Sequence, residues 1–148
     1  MTPQDRAERV AHAMLAKDAA TRAMGMTVAG IGPGHATLEM TLSPDHLNGH
    51  QTAHGGILFT LADSAFAFAC NSYNSIVVAQ TNTITYVSPG HPGERIRAEA
   101  REVARAGRSG IYDVTLTGAD GRIIALFRGQ SRQIPGQHFD ETEETRNA

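Results

Sequence analysis

The spacing of apolar residues changes several times along the chain, and each spacing predicts a different element. Apolar residues at helical intervals over 4–24 predict an amphipathic helix that packs on a larger body. Strict alternation from His35 to Leu42 predicts a strand with one apolar face. Residues 44–54 have no period and contain an Asn-Gly pair, which predicts a loop. Residues 57–70 are apolar on nearly every side and predict a buried helix.

After this helix, extended segments separated by short turns predict the rest of the fold. The segments are Ile76–Val87, Arg95–Val103, Gly110–Thr117 and Arg122–Ile134. Short connections favour antiparallel neighbours, because parallel strands need long crossovers. The order of one helix, one or two strands, a buried helix and four strands predicts an α+β fold, with an antiparallel sheet wrapped around a central helix. We expect one domain over 1–135 and a flexible tail over 136–148, where acidic residues replace apolar ones.

Composition and charge narrow the classes of partner. The formal net charge is −2, so no basic field favours nucleic acid or an anionic membrane. The apolar run around residues 57–70 is shorter than the roughly 20 residues of a membrane span. Cys70 is the single cysteine, and the first residues contain no basic segment followed by an apolar core. These features predict a soluble protein of the reducing cytoplasm that binds neither nucleic acid nor membrane.

The start of the central helix carries the first candidate chemistry. Gly55 and Gly56 follow His54 and open the helix. The first N–H groups of a helix lack internal partners and carry partial positive charge, so they are suited to a developing oxyanion. Glycine lets a ligand carbonyl approach the backbone closely, although a tight entry to the helix or close packing is the simpler explanation of an isolated pair. His54 either orients the loop or the substrate carbonyl, or forms a structural hydrogen bond.

Asp63 is the second candidate, because a carboxylate inside an apolar helix costs free energy unless it is paired or functional. Helical spacing predicts that Thr60, Ser64 and Ala67 share a small polar stripe with Asp63, as expected beside a reactive pocket. The alternative is a structural carboxylate bound to backbone amides or to an arginine such as Arg97 or Arg128. The glycines and the carboxylate together favour a site.

The separation of these groups predicts how the protein assembles. Eight residues of helix separate Gly55 from Asp63, and they span about 12 Å. An oxyanion donor and an attacking group must both lie near one carbonyl, within about 3 Å. One chain therefore supplies only half of such a site, and we expect an obligate two-fold dimer with active sites at the subunit boundary.

Other candidate sites are weighed against ordinary structural roles. The regular spacing of His46, His50 and His54 would suit zinc only on a helix, and the Asn-Gly turn argues against one, so no metal is expected. Arg105 and Arg108, with Ser109 beside them, could clamp phosphates, but solvated charges at strand ends are more common. No phosphate-loop or dinucleotide motif is present, and Cys70, with no adjacent base, is expected to pack in the core.

The segment containing these candidates resembles a known family. Residues 46–56, with their NGHQ and HGG motifs, and residues 61–72, with AFACNS, are similar to the hotdog-fold acyl-CoA thioesterases of the phenylacetate-degradation (PaaI-type) branch. The likeness covers about residues 8–134, including Ser88-Pro89-Gly90. It implies a hotdog fold in which dimers join their sheets and pairs of dimers form tetramers.

The resemblance also implies roles for individual residues. The backbone at Gly55 would polarise the thioester carbonyl, and Asp63 of the facing subunit would act as nucleophile or as general base. Asn48 and Gln51 would hold substrate or water, and His54 matches the first residue of the HGG motif. Contacts with the coenzyme A tail are expected at Thr83, Arg108 and Ser109.

The predicted function is hydrolysis of hydroxyphenylacetyl-CoA, phenylacetyl-CoA or related aryl-CoA thioesters to free acid and CoA. A polarising helix start and one carboxylate suffice for this reaction, so no metal or redox cofactor is expected. Two alternatives stay open. One is a non-catalytic module that binds acyl-CoA, and the other is a hotdog dehydratase that acts on 3-hydroxyacyl thioesters with His54 and Asp63.

Overall fold

The computed structural model describes residues 1–142 as an antiparallel sheet folded around one long helix. Its elements are α1 (Pro3–Lys17), α2 (Ala19–Ala23), β1 (Thr27–Gly32), β2 (His35–Thr41), a 3-10 turn (Pro44–His46), α3 (Gly55–Asn71), β3 (Ile76–Tyr86), β4 (Arg95–Ala106), β5 (Ser109–Thr117) and β6 (Ile123–Ile134). The predicted central helix and the four strands that follow it are all present, with ends that differ by three residues at most. No helix within residues 1–142 is long and apolar enough to cross a membrane.

The N-terminal segment 4–24, predicted as one helix, is divided in two at Asp18. Asp18 leaves the helical conformation, with φ −89° and ψ 84°. Its carboxylate accepts a hydrogen bond from the backbone N–H of Thr21, 3.0 Å away, and so caps the start of α2. An aspartate gains more from capping a new helix than from continuing the old one, because its short side chain competes for backbone donors.

Helix α3 forms the centre of the core. Leu61, Ala65 and Phe68 are fully buried, and the helix packs across β2, β4 and β5. Gly129 on β6 permits this close packing, since a Cβ at that position would lie 2.8 Å from the ring of Phe66. The buried helix inside a curved sheet therefore agrees with the α+β architecture expected from the sequence.

The six strands lie in the order β1-β2-β4-β5-β6-β3, and every neighbouring pair is antiparallel. The two edges of the sheet differ. Strand β1 is short, and helix α1 lies against it, with the Gln4 side chain donating to the Ile31 carbonyl at 2.8 Å. Strand β3 has 11 residues, and most of them are exposed in the single chain. Val78 and Tyr86 are large exposed side chains on this strand.

The segment after residue 135 was expected to begin a flexible tail, and its first part contacts the body of the protein. His138 donates through Nε2 to the Asn71 side chain at 2.7 Å, and the Arg9 guanidinium lies 4.2 Å from the ring centre of Phe139. Arg6 pairs with Glu141 at 2.7 Å. The remainder of the predicted tail, 143–148, lies outside the described residues.

Candidate active site

The two glycines at the start of α3 differ in the hydrogen bonds of their backbone amides. His54 is extended and caps the helix, and its Nδ1 accepts a hydrogen bond from the Gly56 N–H at 2.9 Å. The Gly55 N–H belongs to the first residue of the helix and therefore has no acceptor within it. The Gly55 carbonyl accepts from the Tyr86 hydroxyl at 2.8 Å. Within residues 1–142 the Gly55 amide is thus the one of the two without a hydrogen-bond acceptor, whereas the Gly56 amide donates to His54.

A groove of about 380 Å³ lies beside this helix start. Gly55, Leu58 and Tyr86 line it together with Asn48. The Asn48 side chain also shapes the preceding loop, since its Oδ1 accepts from the backbone N–H of His50 at 2.9 Å. Gln51 is exposed and adopts a left-handed conformation with φ 60° at the tip of the same loop.

Asp63 is half-buried and faces strand β3. Its Oδ1 accepts one hydrogen bond, at 2.9 Å, from the Asn82 Nδ2. Burial raises the pKa of Asp63, while the bond from Asn82 opposes this shift and the charge of Asp18 adds to it. Neither arginine considered for the structural alternative pairs with Asp63, because Arg97 pairs with Glu99 and Arg128 pairs with Asp113.

The second polar atom of Asn82 is unusual. Asn82 Oδ1 is buried, and no residue in the described range 1–142 donates to it. Most buried polar atoms have a partner in protein or water. Asn82 therefore presents an available acceptor next to the Asp63 carboxylate.

The polar stripe predicted on α3 is wrong in one respect, because its members do not face one pocket. The Thr60 hydroxyl donates to the Gly56 carbonyl at 2.8 Å, along the helix itself. The Ser64 hydroxyl lies 2.9 Å from the Thr21 hydroxyl on α2, away from the Asn82 side chain. Adjacent helical positions point about 100° apart, so Asp63 and Ser64 meet different elements.

The three residues expected to contact coenzyme A lie outside the groove at Gly55. Thr83 borders a second groove of about 290 Å³ on the outer face of the sheet, together with Asp113 and Arg128. Arg108 and Ser109 lie at the turn from β4 to β5, where they line a cavity of about 20 Å³. Ser109 is paired in register with Arg132 on β6, so this corner is basic.

The remaining candidates have structural environments. His46 Nδ1 accepts from the Ser43 backbone N–H at 3.0 Å, and His50 lies at the exposed loop. Within residues 1–142 no group of three His, Cys, Asp or Glu side chains is arranged to hold a metal ion. Burial raises the pKa of the Cys70 thiol to about 12, which makes it a poor nucleophile near neutrality.

Sequence reasoning missed Asn82, which contacts Asp63, and Tyr86, which contacts Gly55. Both lie on β3, and the register of this strand shifts between Ala79 and Thr81. Such a bulge changes the face on which the following side chains lie, so alternation along the strand could not assign them. The run of polar residues 80–83 inside a strand was the available signal.

The antiparallel sheet folded around one buried helix is the hotdog fold of thioesterases. A model of the thioesterase superfamily matches residues 50–125, and the chain belongs to this family. The expected fold and family are therefore confirmed, and with them the class of thioester hydrolase.

Individual relatives refine this placement. The chain is 41% identical to the acyl-coenzyme A thioesterase PaaI of Escherichia coli over 126 residues, covering 85% of this chain and 90% of the relative. It is 34% identical to a putative esterase of Archaeoglobus fulgidus, over 82% of this chain and 79% of that protein. The solved structure of the E. coli PaaI protein, from the phenylacetic acid degradation operon, superposes with a TM-score of 0.90 at 39% identity, covering 92% of this chain and 99% of that one.

Proposed function

We propose that the protein hydrolyses phenylacetyl-CoA, hydroxyphenylacetyl-CoA or related aryl-CoA thioesters to the free acid and CoA. The observation that carries the proposal is the Asp63 carboxylate, half-buried and held by the neutral Asn82 side chain. A carboxylate kept in an apolar helix without a cation is available as a base or nucleophile. The similarity to a relative named PaaI, of a phenylacetic acid degradation operon, supports the aryl substrate class.

The Gly55 amide supplies the electrophilic half of the proposed reaction. Its N–H donates to the thioester carbonyl oxygen and stabilises the negative charge that develops there. In one route Asp63 removes a proton from water as the water oxygen attacks the carbonyl carbon. The C–S bond then breaks, and the CoA thiolate leaves and takes up a proton. In the other route the Asp63 oxygen attacks the carbonyl carbon, and the C–S bond breaks to release the CoA thiolate, which takes up a proton. Water then cleaves the resulting anhydride, which releases the acid and regenerates the Asp63 carboxylate.

The two halves of each site come from different subunits in this proposal. Gly55 and Asp63 are eight residues apart on one helix, about 12 Å, so they do not meet at one carbonyl within a chain. The long exposed edge of β3 supports a dimer in which two such strands pair, because an unpaired edge of this length favours association. We propose that dimers pair further into tetramers.

Substrate contacts follow the same division. Asn48 borders the groove at Gly55 and is assigned to substrate or water together with Gln51. Thr83, Arg108 and Ser109 are assigned to the coenzyme A tail, since the outer face and its basic corner suit a polyanionic group. The reaction requires no metal or redox cofactor. The cytoplasm is the proposed location, because the single cysteine is buried and unpaired.

A pair of variants at Gly55 tests the oxyanion donor. Proline is tolerated at the first helical position, and the extended His54 suits a residue that precedes proline. Gly55→Pro therefore removes the N–H while leaving the helix in place, and we expect kcat to fall by about 100-fold to 1,000-fold. Gly55→Ala is the matched control, since it keeps the N–H and introduces the same Cβ near Tyr86. Equal kcat values for the two variants would remove Gly55 from the mechanism.

Mixed dimers test the shared site. Gly55→Pro and Asp63→Asn chains should each be inactive alone, but a mixed dimer contains one site with both native groups. Unfolding and refolding an equal mixture should restore about a quarter of the wild-type activity, because half of the dimers are mixed and each has one intact site. Persistent inactivity of the mixture, with dimers verified by light scattering, would place both groups in the same chain's site.

A panel of thioesters tests the substrate class. Release of free thiol from phenylacetyl, hydroxyphenylacetyl, benzoyl and straight-chain CoA esters should give the highest kcat/KM with the aryl esters. Preference for straight chains would overturn the aryl assignment. Enoyl absorbance from a 3-hydroxyacyl ester would instead indicate dehydration.

A further inference from the structure

A buried hydrogen bond joins the helix of the reacting carboxylate to the N-terminal helices. Thr21 on α2 is 1% exposed, and its hydroxyl oxygen lies 2.9 Å from that of Ser64 on α3. Ser64 follows Asp63 directly in the chain. No step of the proposed reaction uses either hydroxyl.

The partners of Thr21 determine the direction of this bond. The Thr21 hydroxyl donates its single proton to Asp18 Oδ2 at 2.6 Å. It therefore accepts from Ser64, and the three side chains form one ordered series that runs from Ser64 through Thr21 to Asp18. Asp18 is itself anchored, because its Oδ1 accepts from the Thr21 backbone N–H at 3.0 Å. Its carboxylate is thus fixed near the part of α3 that carries Asp63.

The surroundings of Asp63 make this second carboxylate significant. Strand β3 contributes the neutral Asn82, α3 itself contributes the un-ionised Cys70 thiol, and the junction of α1 and α2 contributes Asp18. The charge of Asp18 adds to burial in raising the pKa of Asp63. Lys17 and His138 border the same cavity of about 370 Å³ as Asp18, and the Arg22 guanidinium donates to the Asp18 backbone carbonyl at 3.4 Å, so these three groups are able to moderate its charge.

We propose that Ser64, Thr21 and Asp18 act together as positioning residues, which hold the turn of α3 that carries Asp63 and fix the Asp18 carboxylate at the other end of this hydrogen-bonded series. This inference rests on the proposed function, because it gives Asp63 the role of base or nucleophile. Asp18 thus has two roles in this proposal. It ends α1 and caps α2, and its carboxylate carries the negative charge.

Removing the charge tests one part of the proposal. In Asp18→Asn the pKa of Asp63 should fall, since a like charge is lost, and the acid limb of the pH profile of kcat should move to lower pH. Glu99→Gln is the matched control, because it removes one negative charge from β4, three strands away from β3 in the sheet. Its acid limb should coincide with that of the wild type.

A second test breaks the hydrogen bond between Ser64 and Thr21 and keeps the charge of Asp18. Thr21→Val has nearly the same shape without the hydroxyl, and kcat should fall by between about tenfold and a hundredfold with KM little changed, because Asp63 loses its fixed position. Thr21→Ser, which keeps the hydroxyl, should have a kcat close to that of the wild type. If Thr21→Val does not fold, Ser64→Ala removes the donor, leaves the bond from Thr21 to Asp18 intact, and should show the same loss.

The outcomes separate this inference from the function on which it rests. Thiol release by the wild type and its loss in Asp63→Asn support the proposed function. Given these, an unshifted acid limb in Asp18→Asn, or wild-type kcat in Thr21→Val and Ser64→Ala with only a lower Tm, would overturn the positioning role. An absence of thiol release from every thioester in the panel would overturn the function instead.

Discussion

Two carboxylates of this protein are withdrawn from solvent, and their partners give them opposite properties. Glu94 is 9% exposed and accepts from both terminal nitrogens of Arg122, at 2.6 and 2.7 Å. These bonds lower the pKa of Glu94 to about 2. Asp63 has a neutral amide as its hydrogen-bond donor, and burial raises its pKa.

The difference shows that burial alone does not identify a functional acid. A carboxylate with a cation and several donors stabilises the native state and is locked in its ionised form. One with a neutral partner costs stability when ionised and remains able to exchange a proton or attack. In this chain the loop carboxylate of Glu94 supports the fold, whereas the carboxylate of the central helix is the one to which we assign the chemistry.

The largest effect should come from removing the charge of Asp63. Asp63→Asn should lower kcat by about a thousandfold or more in a thiol-release assay, because the base or nucleophile is lost. Its free energy of unfolding at neutral pH should be equal to or higher than that of the wild type, since a raised pKa means that the ionised form opposes folding. Urea denaturation measures this part. A near-native kcat would contradict the assigned role.

Removing the neutral partner should have the next largest effect. Asn82→Ala should lower kcat by about tenfold to a hundredfold. The bond from Asn82 lowers the pKa of Asp63, so its loss should move the acid limb of kcat to higher pH. Thr81→Ala, at an exposed position next to Asn82 on the same strand, serves as the control. An acid limb at the wild-type position would show that the bond does not act on Asp63.

Glu94→Gln should affect stability and leave kcat unchanged. We expect a loss of about 1–2 kcal/mol in the free energy of unfolding at neutral pH, because Arg122 is partly exposed and screened. Since the folded pKa is lowered, this contribution is complete above the ordinary value of 4.5 and is lost as pH falls towards about 2. Chemical denaturation at a series of pH values should show the two proteins converging in acid. A constant difference would contradict the ion-pair explanation.

The smallest effect is expected at an exposed pair on the outer face of the sheet. Asp113 binds Arg128 through two bonds of 2.6 and 2.9 Å, yet both side chains are about half exposed. Asp113→Asn should lower the free energy of unfolding by less than about 0.5 kcal/mol, because water and salt screen the pair. A loss comparable with that of Glu94→Gln would mean that cation pairing matters more than burial.

Much of the fold was predictable because the signals were local. The apolar run after Gly56, the alternation over 35–42 and the turns that bound the later extended segments are properties of short segments, and the elements they predicted are present. The division of the N-terminal helix at Asp18 was missed, since capping by a single aspartate competes with helical periodicity over only a few residues. Asn82 was also missed, because the bulge in β3 is a local change of register that alternation along the strand does not reveal.

For the candidate site, the residues within one segment were predictable from the sequence, whereas their partners from distant segments were not. Gly55, His54 and Asp63 are adjacent in one segment, so their residue types and spacing alone identified a helix start and an isolated carboxylate. The partners of these groups come from elsewhere in the chain: Tyr86 and Asn82 from β3, and Thr21 and Asp18 from the N-terminal helices, the last two acting through Ser64.

The sequence by itself determined that a helix begun by glycines would be buried with a carboxylate inside it, because periodicity and residue chemistry are encoded over a few turns of chain. Only the tertiary structure decided that, within residues 1–142, a neutral amide and no arginine would bond that carboxylate, and that the amide of one of the two glycines would already be engaged. Such choices depend on strand register and on packing between segments far apart in the chain, where no local pattern records which side chains will meet.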